Sequence, residues 1–115
     1  MNIQYLVTSL EGGGGAFSLP RILRTIEQSG SHVHLSACEP RDGLGGLRLR
    51  DEGFTFTLLA DRKRNKLFYL RAFFKQVRRE RPDVIWTSLS VAGLVGQITG
   101  RLCGLPVVSW MNNAN

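Results

Sequence analysis

The sequence predicts an α/β protein with a parallel, doubly wound sheet of about five strands and helices on both faces. Short apolar and β-branched runs alternate with stretches whose apolar residues recur at helical spacing, in the order β-α-β-loop-β-α-β-α-β. Glycine or proline stands at most of the boundaries between them. With 115 residues, 43% of them apolar, the chain can bury one core of its own.

Taken in order, Asn2 to Leu10 (NIQYLVTSL) has the composition of a buried strand and runs into four glycines. Leu19, Ile22, Leu23 and Ile26 then form a helical stripe. Pro20 fits a helix best in its first turn, which sets the expected start near Phe17 to Leu19, and Gly30 is the expected stop. His32 to Cys38 reads as the second strand. EPRDGLGG is a loop, LRLRDEG is ambiguous, and Phe54 to Ala60 alternates as a third strand. Asn65 can cap a helix running to Arg81, with Leu67, Leu70, Phe73, Phe74 and Val77 inward and Phe68 and Tyr69 off that side. Pro82 ends it. Asp83 to Leu89 is the fourth strand. Ser90 is placed to cap a helix over Val91 to Leu102, whose Gly93, Gly96 and Gly100 allow close packing, and Leu105 to Met111 is the fifth strand.

Charge is concentrated in one place. The net charge is +6, yet Arg62 to Arg81 holds nine Lys/Arg against Glu80 alone, so the remainder of the chain is mildly acidic. Three readings of the basic segment stand: a solvated face, a surface that meets anionic lipid, or a nucleic-acid contact. No nucleic-acid-binding motif accompanies the charge, so no nucleic-acid partner is expected. Cys38 and Cys103 lie far apart with no CxxC spacing, which points to reduced thiols in a reducing compartment. Met1 to Leu10 lacks a basic region ahead of its apolar run, and Val91 to Gly104 is too short and too polar to span a bilayer. The expected location is the cytoplasm, with peripheral contact at the inner face of a membrane as the other option.

In a doubly wound sheet, ligands gather outside the carboxyl ends of the strands. That rule selects the glycines after the first strand, Glu39 after the second, Thr87 to Ser90 after the fourth and Asn112 to Asn115 after the fifth. The glycines match neither common nucleotide fingerprint: the sixth residue of the pattern is Phe17 when it starts at Gly12 and Ser18 when it starts at Gly13, and no Gly-Lys-Ser/Thr follows. Two readings stay open for them, a structural turn or a cradle of N–H groups for phosphate. Glu39 lies about where a ribose-binding acid would sit, although a solvated acid in a charged loop is the commoner case. His32 and His34 share a strand face but lack a third ligand, so no metal is expected. No nucleophile–base constellation is evident, and no catalytic residue is assigned.

Three stretches, YLVTSLEGGGG, LPRILRTIEQSGSHVHLSA and RRERPDVIWTSLSVAGLVGQITGRLCGLPVVSWMNN, resemble the N-terminal half of family 4-type glycosyltransferases of GT-B fold. The most specific part is RPDVI…AGLVG…RLCGLPVV. The resemblance implies a Rossmann-like, acceptor-side domain, 1–115, that faces a donor-binding domain or chain across a cleft. It implies transfer of sugar from a nucleotide-diphospho-sugar with retained anomeric configuration, and no cofactor or metal beyond that donor. Gly14 and Gly15 match the family's Gly pair and would contact the donor phosphate, while Ser88, Asn112 and Asn113 would hydrogen-bond the acceptor. Phe17, Trp86 and Asn112 stand where the family often has Glu, His and His, and His32 falls one place late. The chain is expected to be a truncated domain, inactive without its second half, with Arg62 to Arg81 holding it against an anionic membrane. The alternative is a stand-alone Rossmann-like nucleotide-binding or interaction module without transferase activity.

Overall fold

A computed structural model describes residues 1–8, 14–39, 47, 49–51, 53–62, 64–88 and 91–109, with backbone alone for 14–20. Its elements are β1 (Asn2–Val7), α1 (Gly14–Gln28), β2 (His32–Ala37), β3 (Phe56–Leu58), α2 (Lys66–Glu80), β4 (Val84–Thr87), α3 (Val91–Cys103) and β5 (Val107–Ser109). The five strands form one sheet in the order β3-β2-β1-β4-β5, and every described pairing is parallel. The chain moves outward from β1 through β2 to β3, then returns to the other side of β1. The switch in strand order therefore lies between β1 and β4.

Strand period divides the core into two layers. Tyr5 and Val7 face α1 and pack with Leu23, Leu35 and Leu49, while Ile3, Ile26 and Val84 extend that layer. Leu6 faces the other way, into a layer with Phe73 and Val77 of α2, Val95 of α3, and Ile85. A strand buried on both faces is expected to be apolar, and β1 is so at Ile3 and from Tyr5 to Val7, while Gln4 is a polar side chain buried on the Leu6 face.

The helix boundaries have local causes. Asn65 caps α2 by accepting a bond from the Phe68 amide at 2.8 Å. At the far end Arg81 adopts a left-handed conformation, φ 50°, and its N–H donates to the Val77 carbonyl at 2.8 Å before Pro82 closes the helix. After α1, Gly30 takes φ 92°, the conformation glycine tolerates best.

Three details depart from the sequence expectation. α1 begins at Gly14, ahead of Phe17, so Pro20 lies in its second turn. A proline there forgoes a helical hydrogen bond at a cost of about 3 kcal/mol. Burial of Leu23 and Ile26 against the sheet offsets that cost. In α2 the inward face is Tyr69, Phe73, Gln76 and Val77, whereas Leu67 is 64% exposed. Tyr69 packs in the core with Phe73 and Val77, and its hydroxyl accepts the Arg64 amide at 2.9 Å. In the ambiguous LRLRDEG stretch, residues 49–51 are helical and Leu49 is fully buried. Among the described residues β1, β2 and β3, and the starts of β4 and β5, are shorter than expected, while the expected ends at Leu10, Leu89 and Met111 and Ser90 as a cap lie outside the described residues.

Two glycines of α3 let it lie directly on the sheet. A Cβ at Gly96 would overlap the Thr87 methyl, and one at Gly100 would overlap a Val107 methyl. Thr87 is itself fully buried and shares a 3.1 Å hydroxyl contact with Ser109, so it cannot swing aside. Gly96→Ala is therefore expected to destabilise the domain by about 1–3 kcal/mol, the usual cost of overpacking, measured by urea unfolding. An alanine variant as stable as the parent would show that α3 does not sit this close.

Candidate functional site

At the carboxyl edge of the sheet, Thr8 ties three elements together. Its amide meets the Ser88 hydroxyl oxygen at 3.3 Å, its carbonyl accepts the Glu39 amide at 2.9 Å, and its hydroxyl accepts the Ala92 amide at 3.1 Å. The last bond satisfies one of the amides that a helix leaves unpaired in its first turn. Thr8 thus caps α3 from the end of β1. The Ser88 amide in turn donates to the Leu6 carbonyl at 3.0 Å, closing the strand ends on either side of the switch.

Beside this junction lies an open groove of about 630 Å³, lined by Glu39, Arg64 to Leu67, Tyr69 and Val91. It contains the first residue of α2, Lys66, and the first residue of α3, Val91. Helix N-termini carry partial positive charge, and Arg64 and Lys66 add two cations beside the carboxylate of Glu39. The Arg64 guanidinium lies 4.7 Å from the centre of the Phe68 ring. Its buried Nε has no hydrogen-bond partner among the described residues. The groove's chemistry favours an anion.

The structure brings some of the expected residues to this edge. Gly14 and Gly15 open the first turn of α1, and Ser88 is half-buried beside Thr8. Asn112 and Asn113 lie outside the described residues. Glu39 is half-buried and lines the groove. His32 and His34 lie toward the amino end of β2, away from the site, with His34 Nε2 3.3 Å from the Thr57 hydroxyl. Among the described residues, no three His, Cys, Asp or Glu side chains form a metal-binding group. Thr8, Arg64 and Lys66 were not singled out from the sequence as site residues. Read from the sequence, the first strand runs on to Leu10, which places Thr8 inside it, whereas β1 ends at Val7.

Burial shapes the titration of two groups near the sheet's centre. It pushes the Cys38 thiol up to about 12, with the charge of Glu39 as a second cause, and pushes the Tyr5 hydroxyl up to about 12. Tyr5 also packs against Trp86, ring centres 6.0 Å apart.

No protein-family model matches the sequence, and no curated protein matches it. Solved structures do match in fold. MurG of Acinetobacter baumannii is 18% identical, with a TM-score of 0.72 over 94% of this chain and 34% of its own. The UDP-GlcNAc 2-epimerase of Neisseria meningitidis, bound to UDP-GlcNAc, is 8% identical, with a TM-score of 0.78 over 95% and 31%. The lipopolysaccharide outer core galactosyltransferase WaaB is 14% identical, with a TM-score of 0.76 over 96% and 33%. At these identities the likeness concerns the fold: the chain has the architecture of one α/β domain of a GT-B protein. It spans about a third of the length of the structures it matches.

Thr8→Val, which replaces the capping hydroxyl with a methyl, is expected to cost about 1 kcal/mol and lower the melting temperature by about 4–8 °C. An unchanged melting temperature in calorimetry would count against the cap. The raised Cys38 thiol stays protonated in the folded chain at pH values where an unfolded chain ionises. Stability is thus fully present below about 9 and declines as pH rises from 9.0 toward about 12. Cys38→Ala is expected to flatten that decline in urea unfolding at alkaline pH.

Proposed function

We propose that this chain is the acceptor-side half of a family 4-type retaining glycosyltransferase that draws on a nucleotide-diphospho-sugar. The observation that carries the reading is the convergence of the α1, α2 and α3 N-termini on the carboxyl edge at the switch between β1 and β4. This is where open α/β sheets bind ligands. The neighbours named above include two glycosyltransferases and an epimerase bound to a nucleotide sugar. A leaving diphosphate develops negative charge, and preorganised N–H groups and cations stabilise it without reorganising. Gly14 and Gly15 would supply backbone N–H groups to that phosphate. Ser88, Asn112 and Asn113 would orient the acceptor, and a donor-binding domain, in the same polypeptide or another, would hold the nucleotide.

The reading is tested by producing the chain together with the polypeptide encoded beside it and measuring nucleoside-diphosphate release from nucleotide-diphospho-sugars. Release by the pair, and by neither half alone, is expected. No release together with no nucleotide-sugar binding by calorimetry would overturn the proposal. The half-buried Glu39 keeps the second reading, a stand-alone nucleotide-binding module, in play. Tight NAD(P) binding by this chain alone, abolished in Glu39→Ala, would decide for it.

A further inference from the structure

The entrance to α2 runs against helix electrostatics. A helix N-terminus carries about half a positive charge and favours Asp or Glu in its first turn. The first turn of α2 has no acid and begins with Lys66, directly after Arg62, Lys63, Arg64 and Asn65. The first turn of α3, which the groove also reaches, has no acid either. Cations stand where the fold already supplies positive charge. Such departures from local preference gather where a ligand restores the balance.

Arg64 shows what is missing. The residue is half-buried, with its guanidinium stacked 4.7 Å from the centre of the Phe68 ring. Stacking occupies a face of the guanidinium and leaves its N–H groups to donate in the plane. The buried Nε has no acceptor among the described residues. A guanidinium cannot shed its charge, and a buried charge without a hydrogen bond is costly. The neutral oxygens beside it are engaged. The Asn65 side-chain oxygen accepts the Phe68 amide at 2.8 Å, and the Tyr69 hydroxyl accepts the Arg64 amide at 2.9 Å.

The charge and size of the groove define the chemistry that fits. Arg64, Lys66 and two helix N-termini of half a charge each, set against Glu39, leave about two positive charges. That matches a phosphate monoester, close to a dianion at neutral pH, better than a carboxylate. A volume of about 630 Å³ lies in the range of small-molecule sites and far exceeds an inorganic phosphate. Leu67 and Val91 give the groove an apolar wall. The anion that fits is therefore one end of an organic molecule.

We propose that the groove between the N-termini of α2 and α3 binds a small organic phosphate monoester, with Arg64 and Lys66 on the phosphate and Leu67 and Val91 against the organic part. The site is separate from the Gly14–Gly15 turn. α1 covers the opposite face of the sheet, and none of its described residues lines the groove. The proposal rests on the groove's charge and stands whether or not the chain transfers sugar; in a transferase the groove would select a phosphorylated acceptor.

The test is titration calorimetry of the whole chain with phenyl phosphate, with inorganic phosphate and benzoate for comparison. Phenyl phosphate is expected to bind about tenfold more tightly than either, because inorganic phosphate leaves the apolar wall uncovered and benzoate carries less charge. Arg64→Gln is expected to weaken phenyl phosphate binding about tenfold and Lys66→Gln about fivefold. Glu39→Gln removes the opposing carboxylate and is expected to tighten binding about threefold. Lys66 is exposed, and Arg64 meets Tyr69 through its backbone amide, so circular dichroism should show an intact fold. A gain of affinity cannot come from misfolding, so Glu39→Gln keeps the test decisive even if Arg64→Gln unfolds. No binding of phenyl phosphate, unchanged affinity in both cation variants, or weaker binding by Glu39→Gln would each refute the site. No nucleotide sugar enters the measurement, so its failure leaves the sugar-transfer reading to its own test.

Discussion

The central position of β1 is the constraint on which the rest of the domain depends. It is paired on one edge with β2 and on the other with β4, and side chains from both of its faces enter the core. Parallel neighbours on both edges require crossovers that begin at the same end of the sheet. Every connecting helix must then start near the carboxyl edge. The positive ends of α1, α2 and α3 are collected there by topology before any side chain is chosen. Thr8 sits at the exit of β1, and its three hydrogen bonds register β2, Ser88 and α3 against that one strand.

The sheet and its helices were legible because their signals are local. Asn65 and Gly30 mark boundaries by their own conformational chemistry, and the small residues of α3 announce close packing. What was not legible depends on partners distant in sequence. Leu67 and Tyr69 are both apolar enough for a core, and Tyr69 turns inward, packing with Leu6 and Phe73 while its hydroxyl accepts the Arg64 amide. Leu49 is buried from a stretch whose own pattern is ambiguous. In the site, Ser88 followed from the rule for strand ends. The capping role of Thr8 did not, because its helix begins more than eighty positions later.

The groove and the basic face of α2 are not separate regions of the molecule. Lys66 and Leu67 line the groove, and the same helix exposes Arg71, Lys75, Arg78 and Arg79 farther along. The basic charge of the chain, conspicuous in composition alone, thereby acquires a direction.

One modest contact carries a mechanical consequence. Between α2 and the sheet, the buried Ser36 hydroxyl donates to the Gln76 side-chain oxygen at 2.9 Å, in an otherwise largely apolar layer. Apolar side chains would let a helix creep along a sheet with little penalty, since one greasy fit resembles the next. Shifting α2 by a turn would strand both groups in a medium that offers no water, at a few kcal/mol. That bond works as a detent. It holds the helix at one notch, and with it the distance between the groove at one end of α2 and the Arg81 turn at the other.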